Sequence, residues 1–318
     1  RLGTNGGALD WLAGANYGKV INCTFEDNQA ARSAGTIYYD GDYGEFTNIT
    51  IKNSYAHGGD LKTSPDGSVH YAGWDSSHWD TNTTGGDGGA IMITGDHVYI
   101  YNATFINNTA VGRGGAVFLQ DNNNITFDLC TFEDNRALGT ANNTYNNARD
   151  TSSGLNKWYT GNGGAVGFDK GASNGTILSS KFINNTAARN GGAVSFSVNS
   201  TESYIFNSTF INNTAARNGG ALGWDGTEGK VSYCNFTGNS ALGTAISTEY
   251  ANLTSLSNII AKNGDSVSAL GKPSIATDNK LYVLVVSEGG KKIRYELYVS
   301  QVADIHYWLK IDETTENR

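Results

Sequence analysis

The segment FINNTAARNGGA, Phe182 to Ala193, returns letter for letter 28 residues later at Phe210 to Ala221. It contains two motifs that recur along most of the chain. In one, Phe is followed by Asn three residues later. In the other, Gly-Gly-Ala is followed by an aliphatic residue. Repetition with a period of about 20 to 50 residues is typical of proteins built from stacked units. We therefore expect each unit to bury its apolar side against its neighbours.

The residues after each glycine motif alternate between apolar and polar, and alternation with period two predicts strands. Units of 24 to 28 residues are too short for a strand–helix–strand unit. The sequence therefore predicts an all-β fold, a parallel β-helix with one coil per repeat and about eight coils over residues 1–264. The motifs begin at Gly6, Gly88, Gly114, Gly163, Gly191 and Gly219, and at Phe25, Phe105, Phe132, Phe182, Phe210 and Phe236, with a degenerate phenylalanine motif near Tyr55.

Stacked coils predict columns of equivalent side chains. The aliphatic residue of the glycine motif and the residue two further on share one face of a strand, which we expect to point inward. The motif phenylalanines form a third inward column. The motif asparagines form a turn column in which stacked amides can hydrogen-bond along the axis, as in cross-β stacks.

Each of the three cysteines, Cys23, Cys130 and Cys234, lies two residues before a motif phenylalanine. By coil count they belong to coils one, four and seven. Three coils span about 14 Å, which is too far for a disulfide. We expect small buried thiols in a position that other coils fill with Asn53, Ala103, Ser180 and Ser208.

Two insertions break the period, near residues 56–87 and 138–162, and both should leave the same edge of the β-helix. Long loops on a rigid scaffold are where binding residues collect, and aromatic side chains suit that role. A glycan or protein site is one interpretation, and rings that only pin the loops to the β-helix wall are the other. The aromatic residues concerned are Tyr71, Trp74, Trp79, Tyr145, Trp158 and Tyr159.

The repeat stops near residue 265, and residues 265–318 predict a small antiparallel β region. Strands are expected at Lys280–Val286, Lys292–Ser300 and Ile305–Ile311, with a hairpin turn at Glu288-Gly289-Gly290. An open coil end needs covering, so this region is expected to be a cap or the start of a following domain. The alternative is self-association through the Lys280–Ile311 strands.

The formal net charge of −8 argues against a nucleic-acid partner, which would need a basic stripe. The longest apolar run, Leu281–Val286, is too short for direct membrane insertion in this segment. We expect no cofactor and no metal site. A weaker hypothesis is structural calcium in the first insertion, because calcium takes oxygen ligands at irregular spacing. The candidate ligands would be Asp60, Asp66, His70, Asp75, His78, Asp80 and Asp87.

Together the two motifs resemble the repeats of chlamydial polymorphic membrane proteins. The strings FINNTA and GGAV are also similar to those of adhesin-like surface proteins of methanogenic archaea. The resemblance covers about Gly6 to Gly264 and implies a right-handed parallel β-helix exposed on a cell surface or cell wall, with attachment as its role. Residues 265–318 depart from the chlamydial pattern, because we expect no C-terminal barrel of the chlamydial type within them. No binding residue is carried over by the motifs.

Fourteen Asn-x-Ser/Thr sequons fit an extracellular glycoprotein, although β-helix turns also favour Asn and Thr. We expect glycans on outward-facing or loop sequons. The sites chosen are Asn82, Asn142, Asn174, Asn199 and Asn252.

The β-helix fold also occurs in polysaccharide lyases and glycoside hydrolases, so catalysis is a second alternative. A glycosidase needs two carboxylates roughly 5 to 9.5 Å apart. Glu26-Asp27 and Glu133-Asp134 should lie about 14 Å apart, and Asp169 and Asp225 about 10 Å apart. We interpret the last two as solvated turn residues and expect no catalytic residue. The sequence therefore predicts a secreted, non-catalytic adhesin that binds a cell-surface glycan or protein, with a stalk or filament subunit as the alternative.

Overall fold

A computed structural model of the chain describes residues 5–58, 60–63, 69–72, 86–139, 161–169, 171–197, 200–216, 219–224, 227–241, 252–257, 260–261, 283–288, 291–299 and 306–315. These residues are all-β, and no helix occurs among them.

Each of the first four coils contains four short strands, and the first insertion adds a two-stranded hairpin. The strands are β1 Leu9–Trp11, β2 Lys19–Ile21, β3 Thr24–Glu26, β4 Gln29–Ala30, β5 Ile37–Tyr39, β6 Glu45–Thr47, β7 Thr50–Lys52, β8 Tyr55–Ala56, the hairpin β9 Asp60–Thr63 and β10 Val69–Ala72, then β11 Ile91–Ile93, β12 Tyr99–Tyr101, β13 Thr104–Ile106, β14 Thr109–Ala110, β15 Val117–Gln120, β16 Thr126–Asp128, β17 Thr131–Glu133 and β18 Arg136–Ala137.

Coils five to seven repeat this order, and an eighth coil is described in part before three longer strands. The strands are β19 Val166–Asp169, β20 Thr176–Leu178, β21 Lys181–Ile183, β22 Thr186–Ala187, β23 Val194–Phe196, β24 Tyr204–Phe206, β25 Thr209–Ile211, β26 Thr214–Ala215, β27 Leu222–Trp224, β28 Thr227–Ser232, β29 Asn235–Thr237, β30 Ser240–Ala241, β31 Asn252–Ser257, β32 Ile260–Ala261, β33 Val283–Glu288, β34 Lys291–Val299 and β35 His306–Thr315.

Equivalent strands of successive coils pair in parallel and form four sheets. Sheet I is β1-β5-β11-β15-β19-β23-β27, and sheet II is β2-β6-β12-β16-β20-β24-β28-β31. Sheet III runs from β3 through β7, β13, β17, β21, β25 and β29 to β32. Sheet IV is formed by the two-residue strands, in the order β4-β8-β14-β18-β22-β26-β30. The predicted parallel β-helix is confirmed. The fourth strand of each coil has only two residues, which are too few to show alternation in the sequence.

The core consists of the predicted inward columns. In sheet I, Val166 pairs with Val194 and then Leu222, while Phe168 pairs with Phe196 and then Trp224. In sheet III, consecutive motif phenylalanines from Phe105 to Phe236 stack with ring centroids 4.8 Å apart. The ring spacing equals the strand spacing of about 4.8 Å, so each coil extends the same apolar column.

The motif asparagines form a buried ladder at the turn after sheet III. Asn135 Nδ2 donates to Asn185 Oδ1 at 3.0 Å, and Asn185 Nδ2 donates to Asn213 Oδ1 at 2.9 Å. Each side-chain oxygen also accepts the backbone N–H of the preceding coil's asparagine. The predicted amide stacking is confirmed, and it satisfies polar groups that are fully buried.

The two glycines of the motif are required for different reasons. Gly191 has φ +66°, a left-handed conformation that glycine adopts readily, and an added Cβ there would also collide with the Val194 carbonyl oxygen. For Gly192, an added Cβ would collide with the carbonyl oxygen of Gly220 in the next coil. The first glycine permits the turn and the second permits close stacking.

The alignment of the second coil differs from the prediction. Phe25 pairs with Ile51, so the degenerate motif begins at Ile51 and its turn position is Ser54, rather than lying near Tyr55. The position equivalent to Cys23 is therefore held by Ile49, not by Asn53. The motif was misplaced because Ile and Ser replace both of its diagnostic residues in this coil.

The three cysteines are free thiols, as expected. Cys130 and Cys234 are buried and Cys23 is half-buried. Burial raises the pKa of the Cys130 thiol to about 12, although hydrogen bonds to backbone groups oppose the shift. These are the properties of structural thiols rather than of a nucleophile.

The three C-terminal strands extend sheet III. Strand β33 meets β32 through one parallel pair, Ile260 with Val285. Strands β33, β34 and β35 then continue as an antiparallel meander, with Glu288 opposite Lys291 across the predicted hairpin turn.

Candidate functional site

Most of the aromatic residues predicted to bind a partner lie outside the described residues. These are Trp74, Trp79, Tyr145, Trp158 and Tyr159. Tyr71 lies in strand β10, where its backbone pairs with Leu61 of β9. A site at the two insertions stays a prediction.

Both insertions leave and rejoin the β-helix at one edge. The first rejoins it at Gly86, which accepts a backbone hydrogen bond from Gly112, and Gly112 accepts one from Gly161 at the end of the second insertion. The two returning chains are therefore separated by a single coil. The roots of both insertions therefore lie on one edge of the β-helix, about two strand spacings apart.

A buried ion cluster lies beneath this edge. Arg113 donates to Asp87 from its backbone N–H at 2.7 Å and from Nη2 at 2.8 Å, and its Nη1 pairs with Asp169. The guanidinium also lies over the ring of Phe118, 4.3 Å from the centroid. Asp87 is 1% exposed and Arg113 is 6% exposed, so these charges are held together in the interior.

This cluster corrects two expectations. Asp169 was interpreted as a solvated turn residue, but it is held against Arg113. Asp87 was counted as a calcium ligand, but both of its carboxylate oxygens accept hydrogen bonds from Arg113. The sequence places Asp87 and Arg113 at the same position, directly before the glycine pair of successive coils, and this signal was not used. Nothing in the repeat indicates that Asp169, at the end of β19, reaches Arg113.

The remaining acidic candidates are scattered. Glu26 pairs with Lys52 at 2.9 Å on the surface, and Glu133 lies three coils away. Asp225, Asp66, Asp75, His78 and Asp80 lie outside the described residues, and of Asp60 and His70 only the strand backbones are described. Within the described part of the chain, no group of three or more His, Cys, Asp or Glu side chains is arranged to hold a metal ion.

The structure brings together exposed rings that the sequence analysis did not select. Tyr17, Tyr43 and His97 occupy equivalent turns before sheet II in the first three coils, and we call them the aromatic corner. The rings of Tyr17 and Tyr43 stack with centroids 5.1 Å apart, and those of Tyr43 and His97 with centroids 4.8 Å apart. Tyr17 is 69% and Tyr43 is 49% exposed.

The aromatic corner is part of a longer column of left-handed residues. Tyr17, Tyr43 and His97 have φ of 61°, 58° and 57°. Their backbone N–H groups each donate to the next coil, as do those of Asn124 and Asn174 at the same turn further along. Asn124 also donates from Nδ2 to Nε2 of His97 at 3.3 Å. The column therefore changes from aromatic to amide side chains after the third coil.

A polar ladder runs beside this column, one residue earlier in each turn. Asn16, Asp42 and Asp96 each accept, through Oδ1, the backbone N–H of the ladder residue in the next coil, at 2.8, 2.9 and 2.7 Å. Asp42 and Asp96 remain partly exposed. Carboxylates therefore line the aromatic corner along the same edge.

The outer face of sheet II carries further rings. Tyr99 and Tyr101 lie side by side with centroids 5.9 Å apart, and Phe206 meets Tyr233 edge-on at 5.2 Å. Burial, together with a hydrogen bond to Asp128, raises the pKa of Tyr99 to about 12. This face and the aromatic corner border each other in the third coil through His97 and Tyr99.

Among the predicted glycosylation sites, Asn174 lies in the left-handed column with φ 54° and is partly exposed. Asn252 is the first residue of strand β31. Asn82, Asn142 and Asn199 lie outside the described residues. Other sequons are built into surface ladders, as where Asn102 Nδ2 donates to Asn48 Oδ1 at 2.8 Å.

The comparisons with known proteins support the repeat assignment. The family model of the Chlamydia polymorphic membrane protein repeat matches residues 102–120, 179–197 and 207–223. No curated protein and no solved structure matches the chain. Among the described residues, no helix is long and apolar enough to cross a bilayer.

Each segment matched by the family model begins at the turn before sheet III and ends in or just after the next sheet I strand, so it contains both motifs. These three segments of the β-helix are therefore similar to the polymorphic membrane protein repeat.

Proposed function

We propose that the chain is an extracellular, cell-surface adhesin-like protein that binds a glycan or another surface partner and does not catalyse a reaction. The observation that carries this proposal is the match of three segments to the polymorphic membrane protein repeat, each spanning both motifs of a stacked coil. Membership of the methanogen adhesin-like group remains part of the proposal. The coils supply a rigid scaffold, and function is expected on its outer surface.

The distribution of ionisable groups supports binding over catalysis. Asp169 is engaged by Arg113, and Glu26 is engaged by Lys52. A glycosidase or lyase would need acidic or basic groups positioned across a bond of the substrate. Aromatic side chains at the two insertions and on the outer surface offer contact area with polar tips instead.

The second candidate is a stalk or filament subunit, favoured by strand β35. In the described chain β35 is the last strand of sheet III, and a ten-residue terminal strand can template pairing with another copy. Sedimentation velocity over a hundredfold range of concentration separates the two candidates. An invariant monomer mass opposes the filament, and a mass that rises with concentration favours it.

The adhesive function is tested with fluorescent beads that carry the whole chain and flow over fixed cells of several types. Beads that carry serum albumin are the control. We expect saturable retention that the soluble chain competes away. Retention no greater than that of albumin beads on every cell type contradicts the proposal.

A further inference from the structure

We propose that the aromatic corner formed by Tyr17, Tyr43 and His97 binds an extended chain of neutral sugars. This inference rests on the proposed adhesive function and gives it a ligand class and a location within the described coils. The site differs from the two insertions, which were the location predicted from the sequence.

Backbone strain is the first argument. A tyrosine in the left-handed region costs about 1–2 kcal/mol relative to an asparagine or glycine, because its Cβ crowds the following carbonyl oxygen. Tyr17 and Tyr43 both adopt this conformation, at φ 61° and 58°. At the same turn Asn124 and Asn174 adopt it in the fourth and fifth coils. The turn therefore folds with asparagine, and the rings are not needed to form it.

Exposure is the second argument. A ring that stabilises the fold is buried against other apolar groups, as Phe182 is in the core. Tyr17 and Tyr43 instead leave 69% and 49% of their surface in contact with solvent, and His97 is also exposed. The coil stack holds these rings in a row along its axis. Ordered aromatic surface of this kind marks a binding site.

The neighbouring groups select the ligand. Asp42 and Asp96 line the corner, and each uses Oδ1 to hold the next coil while remaining partly exposed. A carboxylate has about four lone-pair sites, so it can also accept hydrogen bonds from sugar hydroxyls. The same charges repel sulfated, phosphorylated or sialylated chains. The rings can contact the C–H groups of a sugar, and the carboxylate and amide oxygens can accept hydrogen bonds from its hydroxyls. This combination matches a neutral saccharide.

The geometry of the row selects an extended chain over a single sugar. The ring centroids of successive coils lie 5.1 and 4.8 Å apart. That repeat is comparable to the length of one sugar unit in an extended polysaccharide. Because neighbouring rings stack on each other, with planes 11° and 20° apart, a chain lying along the corner meets the exposed rim of one ring per unit. Its affinity grows with the number of units until the row ends at Asn124.

The test replaces all three rings by the residue that the next coils use, giving Tyr17→Asn/Tyr43→Asn/His97→Asn in the whole chain. Tyr233→Asn is the matched control, because Tyr233 is also left-handed, at φ 56°, and 58% exposed, but lies at another turn. The probes are gluco-, xylo- and manno-oligosaccharides of two to eight units, with a trilysine peptide for comparison. Isothermal calorimetry gives the affinities, and thermal melting reports on the fold.

We expect the unmodified chain to bind at least one neutral series, more tightly as length increases to about the span of the row. The triple variant should bind at least tenfold more weakly and melt at the same or a higher temperature. The Tyr233→Asn control should bind normally. Unchanged binding by the triple variant, a lower melting temperature, or binding of trilysine alone overturns the proposal. If beads are still retained on cells in those cases, the adhesive function stands and only the corner site fails.

Discussion

The side-chain amide of Asn185 donates to Asn213 in the next coil and, at 3.0 Å, to the carbonyl oxygen of Phe132 in the previous coil. One asparagine thus connects three coils through two donors, and its oxygen accepts two more hydrogen bonds from Asn135. All of these groups are buried, so the ladder satisfies polar atoms that water cannot reach. The ladder connects successive coils through hydrogen bonds, and the stacked phenylalanine rings bury apolar surface.

Replacing Asn185 by alanine should destabilise the protein by about 3 kcal/mol, because it leaves the Phe132 carbonyl and the Asn135 N–H buried without these partners. Chemical denaturation followed by circular dichroism measures the change. Thr186→Ala is the matched control, since Thr186 is the exposed neighbour in β22 and its replacement should cost less than about 0.5 kcal/mol. Equal losses in the two variants would contradict the role given to the ladder.

Gly192→Ala should prevent normal folding, because its Cβ would collide with the Gly220 carbonyl and the Thr214 backbone of the next coil. Gly14→Ala provides the comparison, since Gly14 has φ +85° but open space around it, and strain alone should cost about 1–2 kcal/mol. Soluble yield and melting temperature distinguish these outcomes. A Gly192→Ala protein as stable as Gly14→Ala would mean that the coils tolerate wider spacing.

Arg113→Met should destabilise the protein by about 3–5 kcal/mol, because it leaves the carboxylate of Asp87 buried without its partner. The double variant Asp87→Asn/Arg113→Met should recover part of that loss, since the position with 1% exposure no longer carries a charge, while Asp169, which is 18% exposed, still loses its contact with the guanidinium. Urea denaturation of both variants measures the coupling. If the double variant is less stable than Arg113→Met alone, the pair does not act as a compensated unit.

Cys130 should make the protein less stable in alkali. Its pKa of about 12 in the folded state lies above the ordinary thiol value of 9.0, so the unfolded chain loses this proton first as pH rises. The contribution is absent below about pH 9, and stability then falls by about 1.4 kcal/mol per pH unit until pH 12. The slope of unfolding free energy between pH 9 and 11 should be shallower in Cys130→Ala. Identical slopes would show that the thiol ionises equally in both states.

The architecture could be predicted because equivalent residues recur in sequence. The motif from Phe182 and its copy at Phe210 stack in register, with ring planes 4° apart. Where other residues replace the motif residues, the predicted alignment was wrong, as in the second coil, where Ile51 replaces Phe and Ser54 replaces Asn. The residues that recur in the sequence are those that contact the next coil. The repeat therefore predicts the alignment of a coil only where that coil uses the same side chains for these contacts.

The aromatic corner could not be predicted from the repeat. Tyr17, Tyr43 and His97 lie in turns between the motifs, and those turns vary because their side chains point to solvent. One signal was present in the sequence, since Tyr17-Gly18 and Tyr43-Gly44 are the same pair in consecutive coils. Asp87 and Arg113 occupy the same position, directly before the glycine pair of successive coils, so the repeat could have paired them. Asp169 lies at the end of β19 and shares no position with them.

Binding without catalysis is tested most directly by mixing the whole chain with a panel of soluble polysaccharides and following two quantities together. One is the polysaccharide retained on protein-coated beads, and the other is the amount of new reducing or unsaturated ends in solution. We predict retention of at least one polysaccharide with no increase in ends over time. Ends that accumulate in proportion to protein concentration, or no retention of any polysaccharide, would contradict a non-catalytic glycan-binding surface protein.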